Sequence, residues 1–381
     1  MSPHGVISAD SHVTEPADLW RERLDRKLRD RAPYVMKNPE SGPAWLFVTE
    51  GSTPFPIAGG FAAGRSGQDL AEFQDKGYEA ARPSGWDPVA RIGDQELDGI
   101  DAEILYPTLG MKIFAMTNGE LQRACFHAYN GWLAEYCQHD PTRLYGVGLI
   151  SLEDISLAVR DLEAIVKQGM RGIMIWGAPP EDRPYDDPAY DPFWAAAAEA
   201  GLPVSLHIIA GRGRTSSAVV DVIHGRAHPG VWYMNVLHEI QDSLSRIVFG
   251  GVLHRFPKLR IVSAENDAGW LPHFMYRMDH CDLKYRAMWP DAPPEKPSFY
   301  IRRQLYATFQ DDPVGPATHE IFGRDNYMWA SDFPHSDSTF PDSRMWIEKN
   351  FAGVPEDVRR RMVYENVVEL YNMELPSNAL A

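Results

Sequence analysis

Four places in the chain gather side chains that bind cations or move protons. Asp10-Ser11-His12 follows the run VISAD, His207 ends LPVSLH, Glu265-Asn266-Asp267 ends LRIVSAE, and Asp332 ends YMWASD, with His335 and Asp337 just beyond. In extended backbone, residues two apart share a face, so Asp10 and His12 can converge on one point. Two imidazoles with one or two carboxylates suit a divalent ion of borderline softness, Zn²⁺ first, with Mn²⁺ or Fe²⁺ as alternatives. Singly, each signal is weak. A lone strand-end histidine is more often a hydrogen-bonded core residue, and Asp or Ser after a strand commonly caps a turn. Jointly, ligand-type residues at three independent strand ends argue for one site. The run GIMIWG carries no Lys or other bridging ligand, so one ion is expected rather than two.

Such residues need a scaffold, and the chain repeats one. Short apolar runs recur as VISAD (6–10), AEILYP (102–107), YGVGLIS (145–151), GIMIW (172–176), LPVSLH (202–207), LRIVSAE (259–265), LYATF (305–309) and YMWASD (327–332). Runs of this length without polar alternation suit strands buried on both faces of a parallel sheet. Helical patterns separate them. Residues 155–168 carry apolar side chains at helical spacing and end at Gly169, and residues 191–200 pair Asp191 as N-cap with Pro192 just inside. Eight strand–helix alternations predict a (β/α)₈ barrel of the α/β class, whose chemistry sits at the C-terminal strand ends. The whole chain, 1–381, reads as one such domain. Residues 20–86 fit no unit. As an insertion after strand one they would emerge on the same face, as a lid, a subunit contact or a surface excursion. Residues 355–373 read as one closing helix or a bent pair.

Composition narrows the partners. A net charge of −16 argues against nucleic acid and anionic membranes, which reward clustered Lys and Arg. An anionic small substrate stays admissible, because a metal or one Arg reverses the local field. Cys125, Cys137 and Cys281 are too widely spaced for a disulfide framework or zinc ribbon, so reduced thiols in the cytoplasm are expected. No signal-like start and no membrane-length apolar stretch is seen.

Several longer stretches carry a resemblance. ISADSHVTEPADLW, LPVSLHI, GGVLHRFPKLRIVSAENDAGWLPHFMYRMD, MWASDFPHSDST and ENVVELY together resemble the amidohydrolase-related metal enzymes. That branch includes 2-amino-3-carboxymuconate semialdehyde decarboxylase and the resorcylate and carboxyvanillate decarboxylases. The likeness runs from about residue 6 to 371, with 20–86 the least matched part. It implies metal ligation by Asp10, His12, His207 and Asp332, and a homo-oligomer of dimer size or larger. Two positions depart from the pattern. The family has His or Glu where this chain has Asp10, and its decarboxylases have a catalytic His where this chain has Glu265.

The resemblance implies a non-oxidative decarboxylase of an aromatic or unsaturated carboxylic acid. A hydrolase using a metal-activated water against an amide, ester, lactone or C–C bond is the alternative, and the Glu265 departure weakens it less. A non-catalytic, metal-binding barrel is the reading from another class. Asp332 is expected to ligate and to pass a proton, with Glu265 as a second acid/base. His335 either orients Asp332 or packs in its turn, and Asp337 shares that ambiguity. Trp176, Arg212, Arg214 and Trp270 are candidates to grip a carboxylate or stack on a ring. His224 and His228, four apart on a possible helix, are a weak metal signal without a zincin pattern.

Overall fold

Each of the eight apolar runs forms a strand. The computed structural model describes residues 5–38, 45–73, 75–212 and 228–374. The strands are β1 (Ile7–His12), β2 (Ala102–Tyr106), β3 (Leu144–Leu149), β4 (Gly172–Ile175), β5 (Val204–His207), β6 (Ile261–Ala264), β7 (Leu305–Phe309) and β8 (Tyr327–Trp329). Their order in the sheet is their order in the chain, and each pairs in parallel with the next. The circle closes where Asp332 N–H donates to Asp10 C=O (3.0 Å) and His12 N–H to Phe333 C=O (2.6 Å). The protein is a (β/α)₈ barrel.

Burial explains why these runs lack alternation. Every residue of β4, β5 and β6 is buried, one face toward the barrel interior and the other under helices. Each Ile, Leu or Val so buried contributes about 1.5–3 kcal/mol. Gly146 and Gly148 in β3 have a packing reason. A Cβ at Gly146 would lie 2.6 Å from Met170 Sδ, and one at Gly148 would lie 2.8 Å from Ile165 Cδ1. The absent side chains let the helix layer sit directly on the strand.

Helix α1 (Pro88–Asp98) follows the predicted grammar, with the Asp87 carboxylate accepting from Val89 N–H and Gly99 ending it at φ +75°. Helix α2 (Ile155–Lys167) matches its pattern, and Asp154 caps it. Helix α3 (Asp191–Ala200) differs. Asp191 is its first residue rather than its cap, because a 3₁₀ turn, Pro188–Tyr190, runs into it under the Asp187 carboxylate. Helix α4 (Pro229–Phe249) starts at His228, whose Nδ1 accepts from Gly230 N–H, so His228 is an N-cap. His224 and Arg214 lie outside the described residues. The closing segment is one helical run, Glu356–Arg360 and Asn366–Tyr371 joined through a π turn at Arg361–Glu365.

The 20–86 segment folds against the barrel mouth. Tyr34–Lys37, Trp45–Val48 and Phe55–Pro56 form a small antiparallel sheet, and buried Phe47 packs on Trp20 with ring centroids 5.2 Å apart. Its later part reaches the loop after β8: Ser336 N–H donates to Gly59 C=O (2.7 Å) and Ala63 N–H to Pro334 C=O (2.9 Å).

Candidate metal centre

Both β1 side chains arrive at one point with a twist in the strand. Register with β2 shifts between Ser8 and Ser11, a bulge that carries β1 on to His12 rather than ending it at Asp10. β8 does the reverse. Its pairing stops at Trp329, and Asp332 is carried by the following turn at φ +58°. Glu265 stands one residue past β6 at φ +54°. Left-handed backbone at a non-glycine residue is costly, and at both positions it aims a carboxylate inward.

The convergence is tight. His12 Nε2 lies 3.5 Å from Asp10 Oδ1, 3.2 Å from Asp332 Oδ1 and 3.7 Å from Glu265 Oε2. His207 Nε2 lies 3.6 Å from Asp10 Oδ1 and 3.3 Å from Glu265 Oε2. His335 joins from outside, with Nδ1 3.0 Å from Asp332 Oδ1 and its ring stacked on His12 at 3.9 Å.

Both ligand-type imidazoles have their tautomer fixed. His12 Nδ1 is 2.7 Å from Pro107 C=O and His207 Nδ1 is 3.0 Å from Ile208 C=O. A carbonyl only accepts, so each Nδ1 carries the hydrogen and each neutral ring turns its Nε2 lone pair to the centre. Asp10 is fixed as well: the Thr308 hydroxyl, from the end of β7, donates to Asp10 Oδ2 (2.9 Å) and accepts from Glu265 N–H (2.8 Å).

What remains is a set of buried atoms with no hydrogen-bond partner: Asp10 Oδ1, His12 Nε2, His207 Nε2, Glu265 Oε2 and both Asp332 oxygens. Acids and imidazoles 3.2–3.7 Å apart, pre-oriented and unsatisfied, fit the donor set of a divalent cation. Without an ion, charge redistributes among them. Burial opposes charging His12, but the Asp10, Asp332 and Glu265 carboxylates outweigh it and hold its pKa well above 6.5. His207 is raised in the same way by Asp10, against its burial. Asp10 is held below the usual carboxylate range because His207 and His12 overcome its desolvation. Asp332 is lowered, with His335 and His12 overcoming burial.

The expected substrate-gripping residues are engaged in contacts of their own. Arg212 is committed to the Glu153 carboxylate and the Met116 carbonyl, with its guanidinium 5.4 Å from the Trp176 ring. Trp176 is buried and donates its indole N–H to Phe114 C=O (3.1 Å), and Trp270 donates to Asn266 C=O (2.8 Å). Asp337 accepts from the Tyr233 hydroxyl at 3.4 Å. Asp267 makes no ion pair with the cluster, and partial desolvation beside the Asp312 carboxylate pushes its carboxyl up to about 7.

Four residues that surround the centre were not singled out above. Thr308 is the last polar residue of LYATF and Thr108 follows AEILYP, so a strand-end rule widened to hydroxyls within one residue of the end would have found both. Thr108 Oγ1 lies 3.2 Å from His335 Nε2. Lys112, in the helical turn Gly110–Ile113 after β2, and Arg91, in α1, gave no sequence signal. Arg91 is fully buried and donates to His12 C=O (2.7 Å).

Comparison with known proteins fits this geometry. Residues 65–373 match the amidohydrolase family model. The chain belongs to the amidohydrolase family. It is 26% identical over 259 residues to gamma-resorcylate decarboxylase from Polaromonas sp. (strain JS666), covering 64% of this chain and 75% of that one. An amidohydrolase from Mycobacterium avium subsp. paratuberculosis K-10 has the same fold, with TM-score 0.79, 23% identity and coverage of 98% and 99%. The 5-carboxyvanillate decarboxylase of Novosphingobium aromaticivorans DSM 12444, solved with manganese and 4-hydroxy-3-methoxy-5-nitrobenzoic acid, superposes at TM-score 0.67, 19% identity and 97% and 96% coverage. Among the described residues of this amidohydrolase, no helix is long and apolar enough to cross a membrane.

Proposed function

We propose that this chain is a metal-dependent carboxy-lyase that removes CO₂ from an aromatic or unsaturated carboxylic acid. The observation that carries it is the set of buried, unpartnered donors on β1, β5, β6 and β8, in a family whose similar members include decarboxylases. Asp10, His12, His207, Glu265 and Asp332 hold one divalent ion in this reading. Two nitrogens with three carboxylates exceed a four-coordinate zinc shell, and a structural neighbour holds manganese, so Mn²⁺ moves ahead of Zn²⁺. When bound, the ion supplies a Lewis acid that grips and polarises a substrate oxygen.

The chain's own groups handle the proton. Asp332 delivers it to the ring or vinyl carbon that bears the departing carboxylate. That carbon's bond to the carboxylate breaks, its electron pair takes the proton, and CO₂ leaves. His335, 3.0 Å from Asp332 Oδ1, then restores the proton to Asp332. The Thr108 hydroxyl accepts from His335 Nε2–H before and after that transfer, because the proton leaves from Nδ1. The 20–86 segment acts as the wall that covers this pair and keeps water away.

Hydrolysis is the second reading, and Glu265 is what favours it. A carboxylate in this position, 3.3 Å from His207 Nε2, can act as the base that takes a proton from an attacking water. One experiment separates the two. Hydroxybenzoates and carboxymuconate-like acids are monitored for CO₂ release beside esters, lactones and amides monitored for cleavage. Turnover in the first panel is expected, and turnover confined to the second rejects decarboxylation.

A further inference from the structure

Glu15 lies three residues past His12, fully buried, where the chain runs on from β1. Its carboxylate accepts from two backbone groups, Leu109 N–H through Oε2 and Gly110 N–H through Oε1, each at 2.8 Å. Burying a carboxylate is costly, and charge-assisted bonds to two N–H groups offset part of that cost. The two donors also specify the residue. A glutamine would offer one oxygen to one N–H and turn its own donors on the other. The fit is close, since a Cβ on Gly110 would lie 3.0 Å from Glu15 Oε1 and 2.8 Å from Pro107 Cβ.

The loop gripped in this way, residues 107–110, is the one on which two imidazoles lean. Pro107 C=O accepts from His12 Nδ1–H (2.7 Å), and Thr108 Oγ1 lies 3.2 Å from His335 Nε2. His12 thus meets the loop at its first residue and Glu15 at its last two. The stretch between them is pinned as well: Val13 N–H donates to Tyr106 C=O (2.9 Å), Thr14 N–H to Gly85 C=O (2.9 Å) and the Tyr78 hydroxyl to Glu15 C=O (2.6 Å). A Cβ on Gly60 would lie 2.5 Å from Thr108 Cγ2, so the 20–86 segment closes the loop in from the other side. Capping the short helical turn Gly110–Ile113 accounts for the two N–H bonds alone. It does not account for the imidazole partners at the head of the same loop. Because the His335 ring stacks on His12 at 3.9 Å, a shift of this loop disturbs both rings together.

From this geometry we infer that Glu15 is a positioning residue of the metal centre. Its carboxylate holds the 107–110 loop so that Pro107 fixes the tautomer of His12 and Thr108 fixes the seat of His335. The inference rests on the cation-site part of the proposed function and is independent of which reaction the centre runs.

The test titrates stripped protein with Co²⁺, whose visible absorption bands report the geometry of its ligands. Glu15→Gln is expected to bind Co²⁺ about 10- to 100-fold more weakly than wild type, with shifted bands. Tyr78→Phe cuts a hydrogen bond to the same residue's carbonyl and leaves the carboxylate alone, so it controls for stability. Its melting temperature is expected to fall while its bands and Co²⁺ affinity match wild type. Gly110→Ala crowds Glu15 Oε1 from the loop side and is expected to shift the bands as Glu15→Gln does. Wild-type bands and affinity in a folded Glu15→Gln, or an equal change in Tyr78→Phe, overturn the inference and leave Glu15 a cap of the turn. Should Glu15→Gln not fold, Gly110→Ala decides: shifted bands support the inference and unshifted bands overturn it. Failure of the parent reading looks different, because wild type itself then takes up no stoichiometric Co²⁺.

Discussion

Two clusters of buried charge lie on opposite sides of the β1 backbone, and they are solved in opposite ways. Beneath it, Arg91 donates through Nε and an Nη to both oxygens of Glu103 (2.7 and 2.9 Å), Gln95 donates to the same carboxylate (2.7 Å), and the remaining Arg91 nitrogen reaches His12 C=O (2.7 Å). The guanidinium also faces the Phe333 ring at 4.6 Å. Above it, Asp10, His12, His207, Glu265 and Asp332 bring their charges together and leave the facing atoms unpaired. In the lower cluster both Glu103 oxygens and all three Arg91 nitrogens are paired within the protein. The upper one has two imidazoles and three carboxylates, and among the described residues no Lys or Arg is ion-paired with them. A chain that can satisfy a buried carboxylate as fully as it does Glu103 has not failed at the mouth; it has kept those atoms for something else. The two are also joined, because Arg91 steadies the carbonyl of one ligand residue and the ring that follows another.

Breaking the upper cluster should give the largest effect. His207→Ala is expected to lose bound metal and more than about 10²-fold in turnover, beyond what changes to supporting residues cost, while the melting cooperativity is kept. Metal analysis beside a CO₂ assay checks it, and a fully active, metal-replete variant removes His207 from the centre. Breaking the lower cluster should instead cost stability. Arg91→Met leaves Glu103 buried and unpaired, with an expected loss of about 3–5 kcal/mol in urea unfolding. Adding Glu103→Leu should recover much of that loss, whereas no second substitution restores His207→Ala.

A smaller effect sharpens the boundary between the clusters. Thr308→Val keeps the shape but removes the hydroxyl that holds Asp10 and Glu265, so metal affinity should fall about 10- to 100-fold with little change in melting temperature. Competition with a coloured chelator measures it.

The gentlest probe is pH. In metal-free protein the raised His12 and His207 favour folding fully below 6.5, and that contribution fades as pH rises through their folded values. The lowered Asp10 and Asp332 favour folding above 3.8 and lose this as pH falls. The stripped protein should therefore gain most from this cluster between about 3.8 and 6.5 and soften above it. Metal displaces the imidazole protons, so apparent metal affinity should rise about tenfold per pH unit for each proton displaced. Melting curves of stripped and loaded protein across pH should diverge on the alkaline side.

The barrel was legible because its strands are buried on both faces, which writes eight unbroken apolar runs into the sequence. Asp10, His12, His207, Glu265 and Asp332 were legible because a strand end is the place where such a run abruptly turns polar. The limits have the same origin. Strand pairing does not reveal that Asp332 and Glu265 ride on left-handed turns, since φ leaves no mark at a non-glycine residue. Arg212 looked free because its partner, Glu153, is 59 positions away in sequence, and no local pattern joins them. Arg91 gave no local signal at all, because its partner Glu103 and the His12 carbonyl meet it only once the fold buries it against β1.

The central claim is that the unpaired acids and imidazoles at the mouth are a cation site, and elemental analysis of the purified chain tests it most directly. About one divalent ion per chain is expected, as a single centre of this kind requires, falling to near none in a folded Asp10→Asn/His207→Ala variant. A metal-free protein that turns over its substrate, or an ion content unchanged by that double substitution, would contradict the account.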